Sequence, residues 1–125
     1  MNRLLVAVIL AASLAGCLFH DRSGLAVELV NDTPDPHQLR VVVERGEEGT
    51  ETYNETHDLA AAPADGSEGV KLGELVDADG EYRFRGELAN GSRVSETLAY
   101  SDDRGPDIVQ FVVRQDGLAI DILIV

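Results

Sequence analysis

The chain has 125 residues, and its 23 acidic and 10 basic side chains give a formal net charge of −13 at pH 7. This acidity argues against binding to nucleic acid, which depends on cationic contacts to phosphate, and against adsorption to anionic lipid through basic clusters. The length suits one domain with a single core, and 44% hydrophobic residues in clear alternation argue against a disordered acidic chain.

The first seventeen residues have the order of a secretory signal. Arg3 is followed by an uninterrupted apolar run and then by small residues that end at Cys17, the single cysteine of the chain. Leu14-Ala15-Gly16-Cys17 resembles the lipobox of prokaryotic lipoproteins, in which the peptide is cut before the cysteine and a lipid is attached to its sulfur. The resemblance implies a signal peptide over residues 1–16, a lipidated cysteine with a tether over 17–24, and a folded domain over 25–125.

Three other interpretations of this segment are a transmembrane helix, a buried core helix and a plain secretory signal. The apolar run is shorter than the roughly 20 residues of a membrane span. It is apolar all round, which suits a signal better than a surface helix. A plain signal would leave Cys17 as an odd thiol in an exported protein. Lipidation of Cys17 is therefore favoured, and it leaves packing alone to hold the domain together.

Without residues 1–16 the chain keeps nine basic and 23 acidic residues, a net charge of −14, and Lys71 is its only lysine. Such an acidic, lysine-poor composition resembles that of proteins from extreme halophiles. The charge repels itself in dilute buffer, but at about 1 M salt the screening length falls to about 3 Å and the repulsion largely disappears. An ordinary acidic protein, or one loaded with divalent cations, is the alternative.

From Leu25 onward, short alternating runs separated by turn residues predict strands with one inward face. The outward positions include Arg40 and Glu44 in one strand, and Arg83, Arg85 and Glu87 in a later one. The predicted inward residues are Leu25, Val27 and Leu29; Leu39, Val41 and Val43; Tyr53 and Leu59; Tyr82, Phe84 and Leu88; Val94, Leu98 and Tyr100; Val109, Phe111 and Val113; and Leu118, Ile120, Ile122 and Ile124.

The segment from Val70 to Val76 is predicted as an edge strand, and no segment after the signal has a helical period. Seven to eight short strands predict an all-β fold, a single antiparallel β-sandwich preceded by the signal-peptide helix, with a barrel as the less favoured alternative.

Two hairpins can be examined by parity, because paired residues share a face. Around Asn90-Gly91 both strands have even residues inward, which requires a loop of odd length and favours three residues with a left-handed glycine. In the last hairpin the inward residues are odd-numbered in the first strand and even-numbered in the second. This difference requires a loop with an even number of residues. Asp116-Gly117 would supply it and would pair Val113 with Ile120, Phe111 with Ile122 and Val109 with Ile124.

The stretch from Val76 to Phe84, with Gly80-Glu81-Tyr82 inside it, resembles the corner of immunoglobulin-like domains. The resemblance implies that the Tyr82 hydroxyl bonds back to the preceding corner and is structural. Paired cysteines and tryptophan are absent from the sequence, so the resemblance is to the wider immunoglobulin-like or fibronectin-like class. With the lipobox and the acidity, the chain resembles small exported lipoproteins of halophilic archaea.

Residue types that carry chemistry are few. His20, His37 and His57 share no metal-ligand spacing, and there is no nucleophile elbow or phosphate-binding glycine loop. We therefore predict no catalytic site, no cofactor and no metal centre. If calcium binds, the two acidic turns would hold it, with carboxylates from Asp77, Asp79, Asp102, Asp103 and Asp107, although Asp and Gly are also common turn formers.

Three triplets fit the N-glycosylation acceptor pattern and begin at Asn31, Asn54 and Asn90. We expect at least one of them to carry a glycan.

These observations predict a non-enzymatic β-sandwich that is anchored by lipid to the outer face of the cell membrane and adapted to high salt. Its expected role is binding, interaction or scaffolding, with a protein or glycan partner and without nucleic acid. One alternative is a surface protein that binds calcium or a small ligand. Another is an enzyme or metalloprotein, which a strongly perturbed titratable group in a pocket beside His37 or His57 would favour.

Overall fold

The computed structural model describes residues 24–124, and this part of the chain folds into eight β-strands without a helix. The strands are β1 Leu25–Asn31, β2 His37–Arg45, β3 Thr50–Leu59, β4 Glu68–Val76, β5 Gly80–Leu88, β6 Arg93–Tyr100, β7 Ile108–Arg114 and β8 Gly117–Leu123. The predicted signal peptide (1–16), Cys17 and most of the predicted tether lie outside the described residues. Over residues 24–124, no helix could span a membrane.

The strands form two four-stranded sheets, which confirms the predicted all-β sandwich. The first sheet has the order β4-β1-β7-β8 and the second has the order β3-β2-β5-β6. Neighbouring strands are antiparallel except β1 and β7, which run parallel. Parallel neighbours need a long crossover, and the five strands between β1 and β7 provide it.

The core lies between the inner faces that the alternation predicts. Leu25, Val27 and Leu29 of β1 are fully buried, and so are Phe84 of β5 and Phe111 of β7. The remaining members of the buried cluster are Leu39, Val41, Val43, Leu59, Val76, Tyr82, Leu88, Tyr100, Val109 and Val113. The strand β4 lies at the edge of the first sheet, as the sequence predicts.

The two sheets come close together at Gly86 in β5. A Cβ atom at this position would lie 2.8 Å from Cδ2 and 2.9 Å from Cε2 of Phe111, and 3.2 Å from Cδ2 of Leu118. Phe111 is fully buried, and a close-packed interior leaves its ring little room to move. The missing side chain at Gly86 is therefore what allows Phe111 to pack against the second sheet.

The corner before β5 is tied to that strand by Tyr82. Its hydroxyl donates a hydrogen bond of 2.8 Å to the carbonyl of Ala78, which is the backward bond expected from the sequence. The Arg45 guanidinium lies 5.7 Å from the centroid of the Tyr82 ring and donates to the carbonyl of Asp79 at 3.1 Å. Together these contacts fasten the turn between the two sheets.

The β5–β6 hairpin has the three-residue loop that parity requires. The Leu88 N–H donates to the carbonyl of Ser92 at 2.9 Å, and the Gly91 N–H donates to the carbonyl of Leu88 at 2.9 Å. Gly91 has φ of +98°, a conformation that glycine adopts without the penalty of a Cβ atom. The prediction of an odd loop with a left-handed glycine is confirmed.

The β7–β8 hairpin has an even loop, but its predicted register was wrong by two residues. Val113 pairs with Leu118, Phe111 with Ile120 and Val109 with Ile122, so the loop is Gln115-Asp116 and Ile124 is left 72% exposed. Because side-chain faces repeat every two residues, both registers place the same residues inward. The preference of Asp-Gly for two-residue turns predicted the wrong register. Gly117 is instead the first residue of β8, with φ of +137°.

Replacing Gly86 with alanine should destabilise the domain by about 1–3 kcal/mol, since the new methyl group would overlap the buried Phe111 ring. Urea or thermal unfolding in molar KCl measures this loss. Gly66→Ala is the matched control, because a Cβ atom there would meet only Pro63 at 3.6 Å, and it should change stability by less than about 0.5 kcal/mol. Equal stability of the two variants would contradict the close approach of the sheets.

Candidate functional site

The outer side of the second sheet carries a groove of about 420 Å³. Six outward side chains of three adjacent strands line it, and we call it the arginine groove: Arg40 and Val42 of β2, Arg85 and Glu87 of β5, and Arg93 and Ser95 of β6. Strand register brings them together in two rows. Arg40 lies opposite Glu87, which lies opposite Arg93, and Val42 lies opposite Arg85, which lies opposite Ser95. Residues opposed in this way share a face of the sheet.

Val42 provides an apolar floor in this groove. It is only 4% exposed, although it belongs to the outer face and not to the core. In register it stands between Asn54 of β3 and Arg85 of β5. Long arginine side chains can cover apolar surface with their methylene groups while keeping the charged end in water, which accounts for the burial of Val42.

Two carboxylates hold part of the arginine array in place. Glu44, whose side chain is 13% exposed, accepts hydrogen bonds from Arg83 at 3.1 Å and from Arg85 Nη2 at 3.2 Å. Arg93 Nε donates to Glu87 Oε2 at 2.9 Å. These charge-assisted bonds orient the guanidinium groups, so that the groove keeps a defined shape.

Two donors in the groove are left over after these bonds. Arg85 Nε is buried and has no hydrogen-bond partner among the described residues. Arg40 donates its Nε to Asn54 Oδ1 at 3.0 Å, and no ion pair with Arg40 occurs between residues 24 and 124. Because Arg85 Nε is buried, the donors that the groove can offer to an acceptor are those of the exposed Arg40 guanidinium.

The groove and the start of the domain lie at opposite ends of the sandwich. Ala26 N–H bonds to the carbonyl of Asp107 at 3.0 Å, and Asp107 N–H bonds to the carbonyl of Leu123 at 2.9 Å, so β1 begins where β8 ends. Arg93 follows directly after the β5–β6 loop, which bonds through Ala89 N–H to Gln38 near the start of β2. The segment that leads back to Cys17 therefore departs from the end remote from the groove.

The sequence predicts Arg40 and Arg85 as outward residues but does not bring them together, because the pairing of β2 with β5 is a tertiary contact between distant segments. The outward arginines of two separate strands were the available signal. Their concentration on one face is unexpected in a chain whose net charge is −13.

Burial argues against Asn31 as a glycosylation acceptor. The side chain is 0% exposed, and its Nδ2 donates to the carbonyls of Asp35 at 2.8 Å and Ala60 at 2.9 Å. Its Oδ1 accepts from the Thr33 N–H and hydroxyl, so all four hydrogen-bonding positions of the amide are used. Asn31 is thus the centre of the turn between β1 and β2, and it bonds this turn to Ala60 at the end of β3.

The other two acceptors are exposed. Asn90 lies in the β5–β6 loop and accepts a bond from Ser92 N–H at 2.9 Å. Asn54 lies at the rim of the arginine groove, between Arg40 and Glu51, to whose Oε1 it donates at 3.1 Å. Both asparagines are accessible as the acceptor pattern requires.

The fold brings the two acidic turns together. Asp79 Oδ1 accepts a hydrogen bond of 2.9 Å from the backbone N–H of Asp102, and Asp103 Oδ1 accepts one of 3.1 Å from the Ser101 hydroxyl. Asp77 is exposed, and Asp107 lies just before β7. Within residues 24–124, however, no three His, Cys, Asp or Glu side chains are grouped as metal ligands.

His57 lies beside a residue whose pKa is shifted. Of the other two histidines, His37 begins β2 and His20 lies outside the described residues. The Tyr53 hydroxyl lies 2.8 Å from His57 Nε2, and the two rings stack with an interplanar angle of 3°. Burial, followed by the charge of Glu55 and its hydrogen bond, raises the pKa of Tyr53 to about 12. Tyr53 thus stays protonated near neutral pH and acts as a hydrogen-bond donor rather than a base. A perturbed titratable group therefore lies beside His57, as the enzyme alternative requires, but neither ring lines the arginine groove.

No protein family, no curated protein and no solved structure gives a match to this chain.

Replacing Asn31 with alanine should cost roughly 3 kcal/mol or more, since buried donors and acceptors of the turn lose their partners at about 1–3 kcal/mol each. Unfolding by urea in molar KCl is the measurement. Asn54→Ala removes two exposed hydrogen bonds and is the matched control, with an expected loss below about 1 kcal/mol. Similar losses for the two variants would show that Asn31 does not organise the turn.

Stability should fall as the pH rises from about 10 to about 12, because the fold favours protonated Tyr53 while an unfolded tyrosine loses its proton near 10. The stabilisation is fully present below pH about 10 and is lost through the folded-state pKa. Tyr53→Phe should therefore make the alkaline decline shallower, at a loss of about 1 kcal/mol near neutral pH from the missing bond to His57.

Urea unfolding at a series of pH values checks this expectation. Tyr82→Phe loses a hydroxyl hydrogen bond of the same length and is the matched control. An alkaline decline that is equally steep in the wild type and in Tyr53→Phe would contradict the assignment.

Proposed function

We propose that this protein is an exported lipoprotein, held on the outer face of the membrane by a lipid on Cys17, whose β-sandwich binds a partner without catalysing a reaction. The observation that carries the proposal is the position of the arginine groove. It lies toward the end of the sandwich opposite to Gly24, from which the chain leads back to the lipobox cysteine. A domain anchored through this segment would present its groove away from the membrane.

The length of the tether supports this orientation. Seven peptide steps separate Cys17 from Gly24, and a fully extended chain covers at most about 3.3–3.6 Å per residue, so that the reach is about 25 Å. The domain would therefore stay within about one domain diameter of the membrane surface, with the Gly24 end nearest to it.

Charge supports both the lipid anchor and the adaptation to salt. The proposed membrane-facing end carries exposed acidic side chains such as Glu47, Glu48 and Asp102, which would be repelled by anionic headgroups. Electrostatics cannot hold this end at such a membrane, so the attachment would depend on the lipid. Molar salt would screen the repulsion to a range of about 3 Å and would allow a close approach.

The chemistry of the groove supports binding rather than catalysis. Its lining offers guanidinium donors, a carboxylate engaged by Arg93, a hydroxyl and an apolar floor. Among residues 24–124, neither histidine nor cysteine lines it, and these are the side chains most suited to general base or nucleophilic roles near neutral pH. We propose a protein or glycan partner for the domain, and glycans of its own on Asn54 or Asn90.

Cys17→Ser should move the protein from the membrane fraction to the soluble fraction, because the lipid is the proposed attachment. The released domain should melt at the same temperature as the lipidated one in molar KCl. The intact mass of native protein should exceed that of residues 17–125 by the mass of a lipid and at least one glycan, with peptide mapping placing the glycan on Asn54 or Asn90. Retention of Cys17→Ser in the membrane would instead support an uncut apolar helix.

A further inference from the structure

We infer that three exposed apolar side chains at the end of the sandwich contact the membrane and form a second attachment beside the lipid on Cys17. They are Ile122 and Leu123 of β8 and the following Ile124, and we call them the apolar tip. The partner is a lipid surface. The inference rests on the proposed lipid anchor, because the anchor would bring this end of the domain to the membrane.

The apolar tip stands out on the surface of the domain. Ile122 is 40%, Leu123 is 37% and Ile124 is 72% exposed, and among residues 24–124 these are the exposed large hydrophobic side chains. Successive side chains of a strand point to opposite faces, but β8 is an edge strand, so its end exposes both faces. A run of three exposed apolar residues is unusual on a surface that has no partner.

The apolar tip lies at the end of the domain that leads back to the proposed anchor. Leu123 pairs with Ile108, and Ile108 pairs with Ala26, so β8 ends two strands away from the beginning of β1. Because neighbouring strands are about 4.8 Å apart, this separation is roughly 10 Å. An extended tether of about 25 Å lets the apolar tip reach the surface in which the lipid is inserted.

The small size of the apolar tip favours a lipid surface over a second copy of the chain. A stable protein interface buries about 800 Å² on each partner, which is more than three partly exposed side chains provide. Binding to a bilayer interface instead scales with the apolar area that is buried, and it needs no matching protein surface.

A second attachment would strengthen the first. A single acyl chain holds a protein at a membrane only marginally, and stable anchoring usually combines two signals, often a lipid and a basic cluster. This end of the domain carries exposed acidic side chains such as Glu48 and Asp102, which cannot serve as the basic cluster. Apolar contact supplies the second signal instead, and molar salt does not screen it as it screens attraction between charges.

The contact predicts a tilt of the domain. The apolar tip belongs to the sheet edge that lies beside β6, whereas the β2–β3 turn belongs to the opposite side, where β3 lies beside β4. Both are at the end where β1 begins, because the end of β2 pairs with the start of β5 and the end of β4 pairs with the start of β1. Seating the apolar tip would lift Glu48 in the β2–β3 turn away from the membrane.

Tryptophan reporters test the contact, since the sequence contains no tryptophan. The lipidated full chain is reconstituted in molar KCl into phosphatidylcholine vesicles with and without brominated acyl chains. Ile124→Trp should lose more than about half of its emission to bromine, because interfacial apolar groups enter the acyl boundary by about 5–10 Å. Glu48→Trp at the same end and Gln115→Trp at the other end are the matched controls, and both should keep most of their emission.

The outcomes separate the contact from the anchor. Equal quenching of Ile124→Trp and Glu48→Trp would overturn the contact, since the whole end would then lie near the membrane without a preferred side. Bound protein with no quenching of Ile124→Trp would also overturn it and would leave the lipid anchor intact. Protein that does not float with the vesicles would overturn the anchor, and with it the contact.

A substitution locates the contact on the apolar tip. Leu123→Asp in the Ile124→Trp background should remove most of the quenching, because a carboxylate disfavours the acyl boundary, whereas Gln115→Asp adds the same charge at the other end and should leave it unchanged. The melting temperatures are measured first, and if Leu123→Asp unfolds, the three reporters carry the test. A dimer of Cys17→Ser in sedimentation that Leu123→Asp dissociates would overturn the lipid partner in favour of a second copy.

Discussion

The fold depends on the contact between Phe111 and the backbone of β5 at Gly86. The described chain contains no cysteine, so no disulfide can limit the freedom of its unfolded state, and the apolar contact of the two sheets has to hold the domain together. Phe111 is fully buried between the sheets, and only the missing side chain at Gly86 lets it approach so closely. The partly buried Leu118 of β8 joins the same contact.

The alternation of inward and outward side chains along the strands also produces the arginine groove. Because the inner positions of β2 and β5 are taken by apolar residues, the alternate positions of the same strands are free for arginine and glutamate. Two neighbouring rows of opposed side chains then place arginines of three strands on the same face, where Glu44 holds Arg85 and Glu87 holds Arg93. In the proposed binding role, the rigid sheet would orient these donors before a ligand arrives, which would lower the entropic cost of binding.

Exposed acidic side chains at the end where β1 begins bear on the proposed orientation. Acidic turns such as Asp77–Asp79 and Asp102–Asp103 lie at the end where β1 begins, whereas the groove lies toward the other end. The acidic end would need salt to approach a membrane, and the groove would face a crowded exterior. The separation of the groove from the start of the domain follows from strand direction, since each strand runs between the same two ends of the sandwich.

Several features could be predicted from the sequence because they are local. Alternation assigns the inward residues, and inward parity on both sides of Asn90-Gly91 requires the odd loop that the β5–β6 hairpin has. The acidity and the lipobox pattern, on which the proposed anchoring rests, are likewise properties of the sequence. The Tyr82 bond to Ala78 spans four residues and belongs to the same category.

Only the tertiary structure decided the rest, because those features join distant segments. Two registers of the β7–β8 hairpin bury the same residues, and the local preference of Asp-Gly could not choose between them. Asn31 has the same acceptor pattern as Asn54, yet its bond to Ala60, 29 residues away, buries it. The parallel pairing of β1 with β7 and the meeting of Arg40 with Arg85 likewise depend on strand order. Alternation predicts which side chains of each strand face inward, but it does not predict which strands become neighbours.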